Sequence, residues 1–230
     1  MPNNALIVAL DTDDIKEAAR IVNELSGIVK IFKVGSQLFS AHGPKAVDVV
    51  HKKNCNVFLD LKFHDIPNTV KGAVISAQKL GVFMLTLHTL GGKEMLQAAS
   101  SIARRPKLIG VTILTSLDDN DLRTIGVQRK VDEEVIYLAG LAKASGLDGI
   151  VCSPREIASA RKKTGRDFLI VSPGVRPAGG QTSDQKRVLT PYEAIRQGAD
   201  FIVVGRPILD AVSPRKAAEH IVEDIRNAAR

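Results

Sequence analysis

Eight short apolar runs rich in β-branched residues recur along the chain, and each is followed by a stretch of helical periodicity. The runs are Ala5–Asp11, Ile31–Gly35, Val57–Lys62, Met84–Thr89, Leu108–Leu114, Gly149–Cys152, Phe168–Ser172 and Phe201–Gly205. The helical patterns include Asp14–Leu25, Pro44–Lys52, Asn68–Leu80, Lys93–Arg104, Glu133–Ser145, Pro154–Lys163, Pro191–Gln197 and Pro214–Ala229. Near-continuous apolar strands have no face for water, so they belong in a parallel sheet covered by helices. Eight such units in 230 residues close naturally into a (β/α)8 barrel of the α/β class, with 1–230 as a single domain. An open, doubly wound sheet is the competing arrangement, but no G-x-G-x-x-G follows the first run. Neither a low-complexity tract nor a Pro/Gly-rich linker divides the chain.

The formal charge of +7 raises nucleic acid as a partner, yet the basic residues are dispersed and aromatics make up only 4% with no Trp. Without a basic arm or stacking platforms, no nucleic acid is expected, and the charge suits a small anionic substrate or simple solubility. No run approaches the roughly 18 apolar residues of a membrane helix, and the opening MPNNALIVALD lacks a basic n-region and a cleavage site. The expectation is a cytoplasmic protein without membrane contact. Cys55 and Cys152 lack metal-ligand spacing and read as buried, reduced thiols.

The segment FLDLKFHDIPNT, Phe58–Thr69, crowds Asp60, Lys62 and Asp65 onto the end of the third run and the loop behind it. Strand side chains alternate, so Phe58, Asp60 and Lys62 share one face while Val57, Leu59 and Leu61 share the other. A structural ion pair with a helix-capping Asp is the bland reading, but burying charge is costly enough to favour a chemical use. Thr86 and His88 fall on the interior parity of the fourth run, where a hydrogen-bonded histidine of the barrel layer is the expectation. His64, between Lys62 and Asp65 where the strand gives way to the loop, is expected to turn away from the Asp60 and Lys62 side.

Barrel chemistry sits at the carboxyl ends of the strands, and polar residues gather there repeatedly. Asp11 closes the first run, Lys33 lies late in the second, Thr115 and Ser116 follow the fifth, and Gly205–Arg206 ends the eighth. Singly, Asp11 also reads as a helix cap, Lys33 as a snorkelling lysine and Ser116 as a turn former. Their convergence is the stronger argument. The segment FIVVGRPI, Phe201–Ile208, resembles the phosphate cradle of many barrels, with Arg176 placed to clamp the same anion from the loop Ser172–Ser183.

At DLKFHDIPNT the chain resembles the orotidine 5′-monophosphate decarboxylase family of the bacterial type. VALD (Val8–Asp11), KVG (Lys33–Gly35), LTS (Leu114–Ser116), PGVRP (Pro173–Pro177), DQ (Asp184–Gln185) and GRP (Gly205–Pro207) extend the likeness almost from end to end. The resemblance implies a (β/α)8 homodimer that converts orotidine monophosphate to UMP and CO2, the last step of de novo pyrimidine synthesis, with no cofactor and no metal. It implies Lys62 as proton donor to C6, Asp60 beside the departing carboxylate, and Asp65 and Thr69 contributed across the dimer interface. Asp11 and Lys33 would meet the ribose, Lys33 also extending the catalytic charge array. Thr115 and Ser116 would meet the pyrimidine, and Arg176, Gln185, Gly205 and Arg206 the phosphate. Two other readings stand beside it. A metal-dependent phosphosugar decarboxylase or aldolase of the same barrel class shares D-x-K-x-x-D, although Lys33 replaces the acidic ligand that such enzymes carry on strand two. The other is a non-catalytic nucleotide binder.

Overall fold

The computed structural model describes residues 5–176 and 189–228. Its strands are Leu6–Ala9 (β1), Ile31–Gly35 (β2), Asn56–Phe63 (β3), Met84–His88 (β4), Lys107–Val111 (β5), Gly149–Val151 (β6), Leu169–Pro173 (β7) and Phe201–Val204 (β8). They pair in parallel in chain order, and β8 returns to β1 through Leu6↔Ile202 and Val8↔Val204, closing the barrel.

The helices of the described residues are Ile15–Leu25 (α1), Ser36–His42 (α2), Lys45–His51 (α3), Pro67–Lys79 (α4), Gly92–Ser100 (α5), Asp119–Thr124 (α6), Val131–Ala144 (α7), Ile157–Thr164 (α8), Pro191–Arg196 (α9), Arg206–Leu209 (α10) and Pro214–Ala228 (α11). Three of these, α2, α6 and α10, extend beyond the expected patterns. Gly43, at φ +56, ends α2 in a conformation that glycine tolerates best, and Pro44 then starts α3, so one expected helix is the second of a pair. α6 has its own signal, a capping box in which Asp118 accepts from Asn120 and Asp121 and Asp121 accepts from Asp118.

Parity separates two cores. Ile7, Ala9, Ile31, Phe58, Met84, Ile109, Val171 and Val203 fill the barrel interior. The alternate residues, among them Val8, Phe32, Leu59 and Leu85, face outward against Ile21, Leu25, Val70, Leu138 and Ile221 of the helices. Each fully buried side chain of this size stabilises the fold by about 1.5–3 kcal/mol relative to exposure. The amino-terminal rim is closed by ion pairs, since Asp148 and Asp200 accept from the amides of Leu108 and Ile170 and also receive Arg105 and Arg161. That leaves the carboxyl rim for chemistry. No helix among the described residues is long and apolar enough to cross a membrane.

Candidate active site

The inward rows of the strands begin apolar and turn polar at the carboxyl rim. Ile7 and Ala9 lead to Asp11, Ile31 to Lys33, Phe58 to Asp60 and Lys62, Met84 to Thr86 and His88, and Val203 to Gly205. Because each step is two residues, the strand pleat carries most of these groups to one mouth, and only Lys62 needs more than the pleat.

There they form a chain of alternating charge. Lys33 Nζ lies 2.9 Å from Asp11 Oδ1 and 3.7 Å from Asp60 Oδ2, and Lys62 Nζ donates to both Asp60 oxygens at 2.9 Å. Asp60 and Lys33 are nearly enclosed, at 13% and 12% side-chain exposure, while Lys62 retains 36% and so faces the opening. Burial alone pushes the Asp60 carboxyl up. The charges of Lys33 and Lys62, with hydrogen bonds from Lys62 and Thr86, outweigh that and hold it below the usual carboxylate range. Asp60 is therefore a fixed anion between two ammonium groups.

Lys62 reaches this position through a backbone irregularity. β3 pairs with β4 at Leu59↔Leu85 and next at Phe63↔Leu87, so four residues of β3 advance against two of β4. Within this bulge Lys62 adopts φ +49, a left-handed conformation that costs a lysine about 1–3 kcal/mol. Thr86 compensates. Its hydroxyl accepts from Lys62 N at 2.9 Å and donates to Asp60 Oδ1 at 3.0 Å, tying both members of the ion pair to β4. The sequence offered one clue to this role, the inward parity that Thr86 shares with the charged rows.

His64 is exposed at the exit of β3 and is not among the cleft-lining residues; its ring stands beside His88, with centroids 5.6 Å apart. One expectation for the histidines requires correction. His88 is half-buried and its Nδ1 has no hydrogen-bond partner among the described residues, where a hydrogen-bonded barrel histidine was expected. Burial, then the charges of His64 and Lys62, lower its pKa against a smaller opposing effect of Asp60.

A cleft of about 270 Å³ opens above the charged chain, and Asp11, Lys33, Asp60 and Lys62 line it together with Arg176, Gly205 and Arg206. Phe58, Val111, Val151 and Val203 form its apolar floor, and Thr115 lies on its wall. Glycine matters at two points. A Cβ on Gly35 would stand 3.0 Å from Lys33 Nζ, and one on Gly205 would stand 3.0 Å from Asp11 Oδ2. Arg176 N donates to Leu189 O at 3.0 Å beside a Val175↔Leu189 bridge.

Other expected site residues stand outside this cleft. Ser116 is exposed beyond its wall, and Asp65 and Thr69 are exposed at the start of α4, where Asp65 Oδ1 accepts from Ile66 N at 2.6 Å. Gln185 lies outside the described residues. A larger crevice of about 940 Å³ runs along α7 and α8, lined by Arg129, Tyr137, Arg155 and Lys163 among others, and shares no lining residue with the cleft. Among the described residues no three His, Cys, Asp or Glu side chains gather as metal ligands.

The model of the orotidine 5′-phosphate decarboxylase / HUMPS family matches residues 4–221. The chain belongs to this family. It is 50% identical over 229 residues to the orotidine 5′-phosphate decarboxylase of Trichlorobacter lovleyi, covering 96% of this chain and 95% of that one. The protein of the same name from Moorella thermoacetica is 49% identical over 230 residues, covering 96% and 91%. Among solved structures, the family's Lactobacillus acidophilus orotidine 5′-phosphate decarboxylase superimposes with a TM-score of 0.84 at 38% identity, over 96% of this chain and 99% of that one.

Proposed function

We propose that this chain decarboxylates orotidine 5′-monophosphate to UMP and CO2, the last step of de novo pyrimidine nucleotide synthesis, in the cytoplasm and without metal or cofactor. One observation carries the reading: the row Lys33, Asp60, Lys62 lines one apolar-floored cleft together with Arg176 and Arg206. A nucleotide with a ring carboxylate at one end and a phosphate at the other suits such a cleft. The names carried by relatives half identical to this chain support the same substrate.

Loss of CO2 breaks the bond between C6 and its carboxylate and leaves the electron pair on C6, in an orbital lying in the ring plane. The π system cannot delocalise that pair. Lys62 supplies the cation that stabilises it and then donates a proton to C6, giving UMP and an amine that solvent reprotonates. Asp60 holds Lys62 in place and lies beside the departing carboxylate, whose charge disappears as CO2 forms. Both groups are positioned before the reaction, so little reorganisation is needed at the transition state. Asp11 and Lys33 hold the ribose, Thr115 and Ser116 the pyrimidine, and Gly205, Arg206, Arg176 and Gln185 the phosphate. Binding at the phosphate, remote from C6, drives exclusion of water from the charged row.

The working unit is a homodimer in which Asp65 and Thr69 of each copy complete the other's cleft, and residues 1–230 act as one catalytic domain. Exposed Ile66, Leu90 and Leu114, in the loops after β3, β4 and β5, support an apolar contact on this side of the mouth. The donor set argues against a metal-dependent sugar-phosphate reaction, because Asp11 and Asp60 are engaged by Lys33 and Lys62.

The test is incubation of the purified protein with orotidine monophosphate, following the ultraviolet change as UMP forms. Turnover is expected to survive exhaustive EDTA treatment, and Lys62→Ala to lose at least about a thousandfold in kcat. A requirement for added Mg2+ would select the metal-dependent alternative. Tight UMP binding without turnover would select a nucleotide binder.

A further inference from the structure

The bulge that delivers Lys62 also creates a pair of histidines that the proposed reaction does not use. Had β3 and β4 kept the register set by Leu59↔Leu85, Lys62 would stand opposite His88. Pairing resumes instead at Phe63↔Leu87, and His64 occupies that place. Its ring stands 5.6 Å from His88 at an interplanar angle of 39°. Gly91, in the turn after β4, makes the room: a Cβ there would come within 3.3 Å of the His64 ring and 2.2 Å of Met95 Sδ.

The two rings therefore close the open end of the bulge, as Thr86 closes its base. Lys62 lies between these two fastenings, held at φ +49. The charged groups acting on His88 are Asp60, Lys62 and His64, all from β3 and its exit, while its neighbour on β5 is Val111. With its Nδ1 buried and unpartnered among the described residues, His88 sits more comfortably as a neutral ring than as a cation.

We propose that His88 is a positioning residue: as a neutral ring packed against His64, it fixes the β3 bulge and with it Lys62, and protonation of His88 releases that bulge. The consequence is an acid limb in catalysis that belongs to His88, a group that touches neither substrate nor the reacting atoms. The inference rests on the decarboxylase reading only for its kinetic arm.

The experiment has two arms. In the first, nuclear magnetic resonance of the intact protein follows the His88 ring and the Lys62 backbone amide from pH 8 to pH 5. The amide resonance is expected to move with the His88 titration, and to stop doing so in His88→Phe, which keeps a ring but cannot gain a proton. A Lys62 amide indifferent to the His88 titration would overturn the proposal, whatever the enzyme's substrate. In the second arm, kcat for orotidine monophosphate is measured against pH. His88→Phe should remove the acid limb, and His88→Asn should lower kcat by about tenfold or more at neutral pH while leaving the UMP dissociation constant within about twofold, since small displacements of a reacting group are costly. An acid limb unchanged in His88→Phe would refute the role. Absence of turnover by the unaltered protein would sink the decarboxylase reading and leave the resonance arm standing.

Discussion

Thr86→Val tests the reasoning most directly, because it removes one oxygen atom from a fully buried site and nearly preserves shape. The hydroxyl makes two contacts, accepting from Lys62 N at 2.9 Å and donating to Asp60 Oδ1 at 3.0 Å. Valine leaves the amide without its acceptor, at about 1–3 kcal/mol, and removes from a carboxylate a bond worth about 1.5–3 kcal/mol. The terms do not add fully, since Asp60 keeps Lys62 and Lys33, so a loss of about 2–4 kcal/mol is expected. For a chain of this size that lowers Tm by roughly 4–16 °C. Catalysis should suffer separately. Once untied, Lys62 can leave its strained φ, and a displacement near 1 Å reduces kcat by about a hundredfold. The assays are thermal unfolding followed by circular dichroism and turnover of orotidine monophosphate, with Thr86→Ser recovering both. Full kcat in a valine variant with a lowered Tm would show that the bulge matters to stability alone.

Gly205→Ala would place a methyl 3.0 Å from Asp11 Oδ2 and 3.5 Å from Ala9 Cβ, crowding the part of the cleft that we propose holds the phosphate without touching Lys62. KM should rise about tenfold with kcat within about threefold, and the reverse split in steady-state kinetics would contradict a binding role. Asp60, held below its ordinary value of 3.8, contributes stability that is complete above that pH and is lost as pH falls through the lower folded value. The Tm difference between the unaltered protein and Asp60→Asn should therefore narrow below about pH 3.8; a constant difference from pH 7 to pH 3 would deny the carboxylate its charge-based role.

What was legible in the sequence followed from period and position. Apolar runs alternating with helical patterns led to the eight-stranded barrel, and the two-residue pleat brought Asp11, Lys33, Asp60 and Lys62 to one rim. The short helices were harder to read. α10 has only four residues, Arg206–Leu209, and α6 has six, too few turns for apolar periodicity to register. The most informative segment hid its main irregularity. Parity set Asp60 and Lys62 on one face, yet it carried no sign that the pairing of β3 with β4 slips between Leu59 and Phe63 and sets His64 beside His88.

The reason is that a strand's pleat is a local property, whereas a bulge is a property of two strands. Nothing within Phe58–His64 specifies that β3 should gain two residues on β4. That depends on the Thr86 hydroxyl, more than twenty positions later, receiving the Lys62 amide. The same dependence explains why a lysine can occupy a left-handed conformation on a strand rim. Its local cost is met by contacts from the neighbouring strand, and the result is an ammonium fixed between carboxylate and cleft. Where a regular period breaks beside paired charges, the break itself deserves to be read as part of the site, because the bond that compensates for it also aims the reactive group.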